Sequence, residues 1–315
     1  MKEKVKCKKC GLFIDSDCET CPYCGYPQNG ELEKEDKASK NIENLIKDDV
    51  NFTNSESKTN ENFHENNVSK DDNKLHFFNF ESRVMDIKPS KNIILFLVGY
   101  ILLNLVAFIF SMIAQASNSW YFLASGSGTA AINFATYFFI FGVMFIVLNN
   151  DITKFFKEFK DKYTWIYGLA FGFLLMLASS AVTSLMQLFK ETGVNNNEAS
   201  IDATTSLFPF LSILIFGILG PICEEFTYRA GLFSLIKRYN RTLAYIVTAL
   251  FFGFIHFTFN LSTIVDELIN LPSYIVAGLL LCYFYDYKGI GASTVAHITN
   301  NLFALIMQLL LSSLG

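Results

Sequence analysis

The sequence predicts an all-α bundle of about seven membrane-spanning helices, preceded by a small cysteine-rich module and a polar linker. Hydrophobic residues make up 51% of the 315 residues and charged residues only 17%, below the roughly 25% typical of soluble domains. Acidic and polar residues are concentrated in the N-terminal quarter, whereas the remaining segments are long and apolar. The membrane part also lacks the basic surface that nucleic-acid binding requires, so we expect no nucleic-acid partner.

Residues 1–28 contain two CxxCG motifs, Cys7-Lys8-Lys9-Cys10-Gly11 and Cys21-Pro22-Tyr23-Cys24-Gly25. Each motif can direct two thiolates to one ion, so Cys7, Cys10, Cys21 and Cys24 are predicted to hold a structural zinc ion in a zinc ribbon. Disulfide bonds are the alternative, but they require an oxidising compartment, and the Lys- and Cys-rich first residues do not resemble a signal peptide. A module of this length buries little apolar surface. The bound metal would therefore supply most of its folding free energy.

Residues 29–88 are expected to form a disordered linker followed by a juxtamembrane segment. Asn, Lys, Glu, Asp and Ser dominate the first part, and such a composition buries too little apolar surface to offset the entropy of ordering. Apolar residues return between 75 and 87 beside Arg83 and Lys88, a pattern typical of a segment that approaches the bilayer interface. A plain linker is the alternative for this last part.

Residues 89–315 are predicted to form a multi-pass membrane domain, because a helix needs about 20 apolar residues to cross the hydrocarbon core. The predicted spans are 93–114, 130–148, 165–188, 207–233, 243–257, 271–285 and 290–311. The fifth and sixth are short, so we expect them to be tilted, partly buried or joined by a re-entrant piece. Pro272 is a candidate break in the sixth helix.

Loop charges predict that the N-terminus lies in the cytoplasm. Lysines and arginines precede the first span and follow the second and fourth, whereas the loops after the first and third spans contain only Lys190. Positive charge marks cytoplasmic loops. A cytoplasmic N-terminus also agrees with the reduced thiols of a four-cysteine zinc site.

Ionisable residues in the fourth span are the strongest functional signal in the chain, since such residues are costly in a membrane. Glu224, Glu225 and Arg229 follow the apolar run 207–219, and we place them at or near the end of this helix. Glu225 and Arg229 are four residues apart and can pair on one face. Glu224 lies about 100° around the helix and is left for another role.

Two of the four histidines also lie in apolar segments, His256 in the fifth and His297 in the seventh. Asn301 follows His297 by four residues on the same face. A single histidine in such a helix is as often a hydrogen-bonded core residue as a functional one. The clustering of two histidines with the other polar residues is what indicates a shared polar site. A glutamate that deprotonates water, a histidine that holds it and an amide that donates to an oxyanion suffice for amide hydrolysis.

The motifs Glu224-Glu225-x-x-x-Arg229, Phe252-x-x-x-His256 and His297-x-x-x-Asn301 resemble, in this order, those of the CPBP family. This family contains the CAAX prenyl proteases and bacteriocin-processing (Abi) proteins, and the resemblance covers about 207–311. It implies that Glu224 is the general base, that His256 positions the water and that His297 and Asn301 form the oxyanion hole. Glu225 and Arg229 would support them.

We therefore expect an intramembrane endopeptidase that cuts a membrane-associated peptide or protein near the cytoplasmic side, in the plasma membrane of a bacterium. The alternatives are a non-proteolytic scaffold, immunity or regulatory factor and, third, a proton-coupled transporter. Expected partners are the lipid bilayer, a peptide or protein substrate and a protein that binds the zinc ribbon. Glu224, His256 and His297 could also hold a catalytic zinc, although we expect none.

Overall fold

The computed structural model describes residues 4–7, 13–20, 80–116, 126–189 and 195–314. They form two units, divided between Asn79 and Phe80, and the second is an all-α membrane bundle. Its helices are α1 (Pro89–Leu97, the π-helical Val98–Leu102 and Leu103–Ala116), α2 (Gly126–Leu148), α3 (Ile152–Glu158), α4 (Lys162–Gln187), α5 (Asn196–Leu207), α6 (Pro209–Lys237), α7 (Arg241–Phe254), α8 (Ile264–Lys288) and α9 (Ile290–Leu314).

The described part of the N-terminal unit is a short antiparallel hairpin. Strand β1 (Lys4–Lys6) pairs with β2 (Phe13–Asp15) so that Val5 lies opposite Ile14. Cys7 follows β1 directly and is buried. The other three cysteines of the predicted zinc site, and residues 29–79 of the predicted linker, lie outside the described residues. These three cysteines are Cys10, Cys21 and Cys24. The zinc site that they are predicted to form with Cys7 therefore stays a prediction.

Six helices of the described chain are long and apolar enough to cross a membrane, and α7 is a shorter apolar helix. Together they account for the seven predicted spans. The 14 residues of α7 reach only about 21 Å, less than the roughly 30 Å of a hydrocarbon core. Much of its surface is buried, including Ala249, Phe252 and Gly253, because α7 packs between α6 and α8.

The sixth predicted span is longer in the structure than in the sequence prediction. Helix α8 runs from Ile264 to Lys288 and continues through Pro272, so the proline does not break it. Proline has no backbone N–H, so it leaves the carbonyl oxygen four residues earlier, here that of Leu268, without its usual helical donor. Packing of α8 against α4 and α7 maintains the helix across this position.

Glycines bring α4 close to α9. A Cβ atom at Gly172 would lie 2.6 Å from the Cβ of Thr299 and 2.9 Å from the carbonyl oxygen of Ala296. Gly168 faces Val295 one turn earlier in the same way. Small residues let membrane helices approach closely and gain packing energy. This contact fixes the position of α9, which carries His297 and Asn301.

Residues 80–88, the end of the predicted linker, lie against one end of the bundle. The Ser82 hydroxyl donates to Asp286 at 2.5 Å, and the Met85 backbone N–H donates to the Tyr285 hydroxyl at 2.8 Å. Met85 is buried. This segment is therefore packed on the membrane domain.

Candidate active site

Glu224 lies in the middle of α6, fifteen residues after Pro209 and thirteen before Lys237. The expectation that it lies at or near the end of a helix is wrong. The helix continues because the residues after Glu224 form a π-helical segment, Glu225–Phe233, that is buried throughout. Such segments are rare and frequently occur at functional sites.

The Glu225 carboxylate is fully buried and has three partners. It accepts a hydrogen bond from the Ser293 hydroxyl at 2.7 Å and another from Nδ1 of His297 at 3.0 Å. Its third partner is Arg229, whose Nη1 lies 3.4 Å from Oε1. A buried carboxylate is stable only when it is paired and hydrogen-bonded, and Glu225 meets both conditions.

The Arg229 side chain is also fully buried. Its guanidinium carbon lies 4.5 Å from the centre of the Phe252 ring, within range of a cation–π interaction. Its nitrogens have no hydrogen-bond partner among the described residues. The ion pair with Glu225 and the ring of Phe252 are therefore the interactions that compensate its burial.

His297 lies between the two glutamates. Because a carboxylate only accepts hydrogen bonds, the contact with Glu225 assigns the proton to Nδ1 of His297. The other ring nitrogen, Nε2, lies 3.6 Å from Oε2 of Glu224, too far for a direct hydrogen bond. The Glu224 side chain is 19% exposed and has no hydrogen bond among the described residues. Its carboxylate is thus the less engaged of the pair.

His256 lies just beyond the end of α7. Its Nδ1 is 2.8 Å from the Phe252 carbonyl oxygen, which can only accept, so Nδ1 carries the proton and Nε2 is available. The Phe252 ring lies between the two histidines, with ring centres at 5.0 Å from His256 and 5.8 Å from His297.

Asn301 lies one turn beyond His297 on α9, and its amide is already engaged. Its Nδ2 donates to the carbonyl oxygen of Phe216 on α6 at 3.1 Å, and its Oδ1 accepts from Asn300 at 3.1 Å. A primary amide has two N–H donors, so one N–H remains for another acceptor.

Two residues of this site were missed by the sequence reasoning. Ser293 precedes His297 by four residues on α9, and this helical spacing is the signal that could have found it. Tyr274 stacks on His256 with ring centres 4.4 Å apart and planes at 11°. Nothing in the local sequence around Tyr274 indicates that contact.

Among the described residues, no three or more His, Cys, Asp and Glu side chains are arranged as a metal site. The Nδ1 atoms of both histidines are hydrogen-bonded to protein oxygens. The two Nε2 atoms and the Glu224 carboxylate are therefore the atoms of His256, His297 and Glu224 that could bind a metal ion.

Residues 206–303 match the protein family described as "Type II CAAX prenyl endopeptidase Rce1-like". The matched region contains both glutamates of the site, Arg229, both histidines and Asn301. No solved structure matches the chain.

Similar curated proteins come from three bacteria. The "UPF0177 protein YvdC" of Lactococcus lactis subsp. lactis (strain IL1403) is 23% identical over 180 residues, 55% of this chain and 66% of that protein. An "Uncharacterized protein" of Mycoplasma capricolum subsp. capricolum (strain California kid) is 22% identical over 176 residues, 52% of this chain and 50% of that protein. The "Putative membrane peptidase YdiL" of Bacillus subtilis (strain 168) is 28% identical over 145 residues, 44% of this chain and 54% of that protein.

The chain thus spans about half to two thirds of the length of these relatives. It is an integral membrane protein whose residues 206–303 match the Rce1-like CAAX endopeptidase family, and one of its relatives is named as a membrane peptidase.

Proposed function

We propose that this protein is a glutamate-dependent intramembrane endopeptidase that hydrolyses a peptide bond in a membrane-associated peptide or protein. The observation that carries the proposal is the difference between the two adjacent carboxylates. Glu225 is fully buried and bonded to Ser293, His297 and Arg229. Glu224 is partly exposed and faces Nε2 of His297, so it can take a proton from water.

In this mechanism Glu224, assisted by Nε2 of His256, removes a proton from a water molecule as the water oxygen attacks the carbonyl carbon. The developing oxyanion accepts hydrogen bonds from His297 and from the second N–H of Asn301. For this step Nε2 of His297, 3.6 Å from Oε2 of Glu224, must carry a proton in addition to the one on Nδ1. The proton on Glu224 then passes to the leaving amine as the C–N bond breaks.

The depth of the site constrains the substrate. Glu224 is thirteen residues from Lys237, about 20 Å along a helix, which argues against the expected cleavage near the cytoplasmic side. The scissile bond must instead reach the middle of the bundle. A transmembrane or lipid-anchored segment that can unwind locally satisfies this requirement.

A scaffold is the second candidate, and one observation favours it. The bonds of Glu225 to Ser293 and His297, and of Asn301 to Phe216, connect α6 to α9 as a purely structural network would. The two functions differ in their dependence on Glu224, which takes no hydrogen bond in that network.

The test compares membrane proteins of cells that carry the native chain with those of cells that carry Glu224→Gln. In native cells, cleavage gives at least one membrane protein a new N-terminus. We expect this N-terminus to be missing in Glu224→Gln cells and the uncleaved protein to accumulate, because the amide keeps the shape of the side chain but cannot take the proton. Glu81→Gln, an exposed position outside the site, is the matched control. Identical N-termini in Glu224→Gln and native cells would refute the proposal.

A further inference from the structure

His256 is held only weakly by its own segment of the chain. It lies beyond the last residue of α7, and the bond from Nδ1 to the Phe252 carbonyl oxygen fixes one atom of the ring. A single hydrogen bond leaves the ring free to turn about that contact. A water-positioning histidine requires a defined ring plane, because a small misplacement of the reacting atoms costs rate.

The ring plane of His256 is defined by Tyr274 of α8. The two rings are nearly parallel, at 11°, with centres 4.4 Å apart. The Phe252 ring contacts His256 as well, at 5.0 Å and a tilt of 52°. With Nδ1 bonded and the plane set by Tyr274, the direction of Nε2 is determined.

Tyr274 is in turn held by the start of α5. Its hydroxyl accepts a hydrogen bond from Nδ2 of Asn195 at 3.1 Å and donates one to Oε1 of Glu198 at 3.2 Å. Burial raises the pKa of the Glu198 carboxyl, and the bond from Tyr274 is the largest influence in the opposite direction. Asn195 is buried and also caps α5 by accepting from the Glu198 backbone N–H at 2.8 Å.

A second carboxylate fixes α5 to the segment that carries His256. The buried Glu267 accepts from the backbone N–H of Asn196 at 2.9 Å and from its side-chain amide at 2.8 Å. Its other oxygen accepts from the backbone N–H of Thr258, two residues after His256, at 3.1 Å. Helix α5, which bonds to Tyr274, and the loop that follows His256 are therefore both hydrogen-bonded to Glu267.

We propose that Tyr274 is a positioning residue for His256, and that the polar helix α5 holds Tyr274 in place through Asn195 and Glu198. The stacking is supported by the contacts of Tyr274 with His256, Asn195 and Glu198. Its consequence for cleavage rests on the proposed endopeptidase function, so the two are tested by separate measurements.

The first measurement is the NMR spectrum of the full chain with labelled histidine rings, reconstituted in lipid nanodiscs. The chain has only four histidines, so each signal can be assigned by single His→Gln variants. Stacking under Tyr274 predicts an upfield shift of the His256 ring protons. Tyr274→Leu should remove this shift, and Tyr283→Leu, a control on the same helix, should leave it unchanged. Tyr274→Phe should give an upfield-shifted but broadened signal, because it keeps the ring and loses both hydroxyl bonds to α5. An identical His256 signal in native protein and Tyr274→Leu would overturn the stacking.

The α5 contact is tested in the same spectrum. Glu198→Gln keeps an acceptor for the Tyr274 hydroxyl, whereas Glu198→Leu removes it. We expect the His256 signal to be unchanged in Glu198→Gln and to broaden or move in Glu198→Leu. If Glu198→Leu leaves the signal unchanged, α5 does not hold Tyr274.

The second measurement is cleavage of a farnesylated, fluorescence-quenched CAAX peptide and of its unprenylated counterpart. We expect Tyr274→Leu to lower kcat by about 10- to 100-fold with little change in KM, the loss typical of a misplaced catalytic group. Tyr274→Phe should restore only part of it, because the ring is kept and its bonds to α5 are lost. Unchanged kcat in Tyr274→Leu would overturn the positioning role. If the native protein cleaves neither peptide, the proposed function fails for these substrates, and the NMR result decides the stacking alone.

Discussion

Adjacent carboxylates at positions 224 and 225 have different environments because they point in different directions from α6. Glu225 points into the bundle, where Ser293, His297 and Arg229 surround it. Glu224 points to the side of the helix where Nε2 of His297 lies. The spacing of the chain predicts the pair between Glu225 and Arg229, and the ion pair is present.

Removing Arg229 should destabilise the protein rather than only inactivate it. Arg229→Ala leaves Glu225 without its cation, and breaking a buried pair by removing one partner costs about 3–5 kcal/mol. We therefore expect low abundance in the membrane and a clearly reduced midpoint of thermal unfolding.

The double variant Arg229→Met with Glu225→Gln provides the control, since it removes both charges and keeps the volume. It should regain part of the lost stability. Equal midpoints for native protein and Arg229→Ala would show that the ion pair is not required for folding.

At the scale of helices, the site depends on how closely α4 approaches α9. Gly172→Leu should push the helices apart, because a Cβ at this position would already meet Thr299 and the Ala296 backbone. Overpacking of this kind costs about 1–3 kcal/mol. The midpoint of thermal unfolding should fall. The peptidase activity should also fall, because α9 carries His297.

Gly142→Leu on α2 is the matched control, since a Cβ at Gly142 meets no atom within 4 Å. It should behave like the native protein. Similar midpoints for the two glycine variants would contradict the close contact between α4 and α9.

At the scale of the whole molecule, the boundary of the membrane domain can be tested by truncation. A chain that starts at Phe77 keeps the contacts of Ser82 and Met85 with the end of the bundle, and should stay folded. A chain that starts at Pro89 loses them and should unfold at a lower temperature. Equal midpoints would show that residues 80–88 contribute nothing to the membrane domain.

The same truncation separates the two candidate metal sites. The full chain should bind one zinc ion, which Cys10→Ser or Cys24→Ser should release without unfolding the membrane helices. We expect the chain that starts at Phe77 to contain no zinc and to keep peptidase activity. Stoichiometric zinc that disappears with His256→Ala, together with chelator-sensitive cleavage, would instead identify a metalloprotease.

The sequence by itself determined the membrane class and the number of apolar helices, and it predicts six polar residues of the candidate site. Each of these depends on local composition or on spacing within one helix, as for Glu225 with Arg229 or His297 with Asn301. Such patterns can be read without knowing how helices pack. The sequence pattern wrongly places Glu224 at a helix end, because a buried helix can continue through charged residues when other helices supply their partners.

Only the tertiary structure decided which carboxylate is engaged and which ring stacks on His256. The bond between Ser293 and Glu225 joins residues 68 positions apart, and that between Asn195 and Tyr274 joins residues 79 apart. Contacts over such distances follow from the packing of α5, α6, α8 and α9 against one another. That packing is set by close contacts such as Gly172 against Thr299, which no periodicity in the sequence reveals.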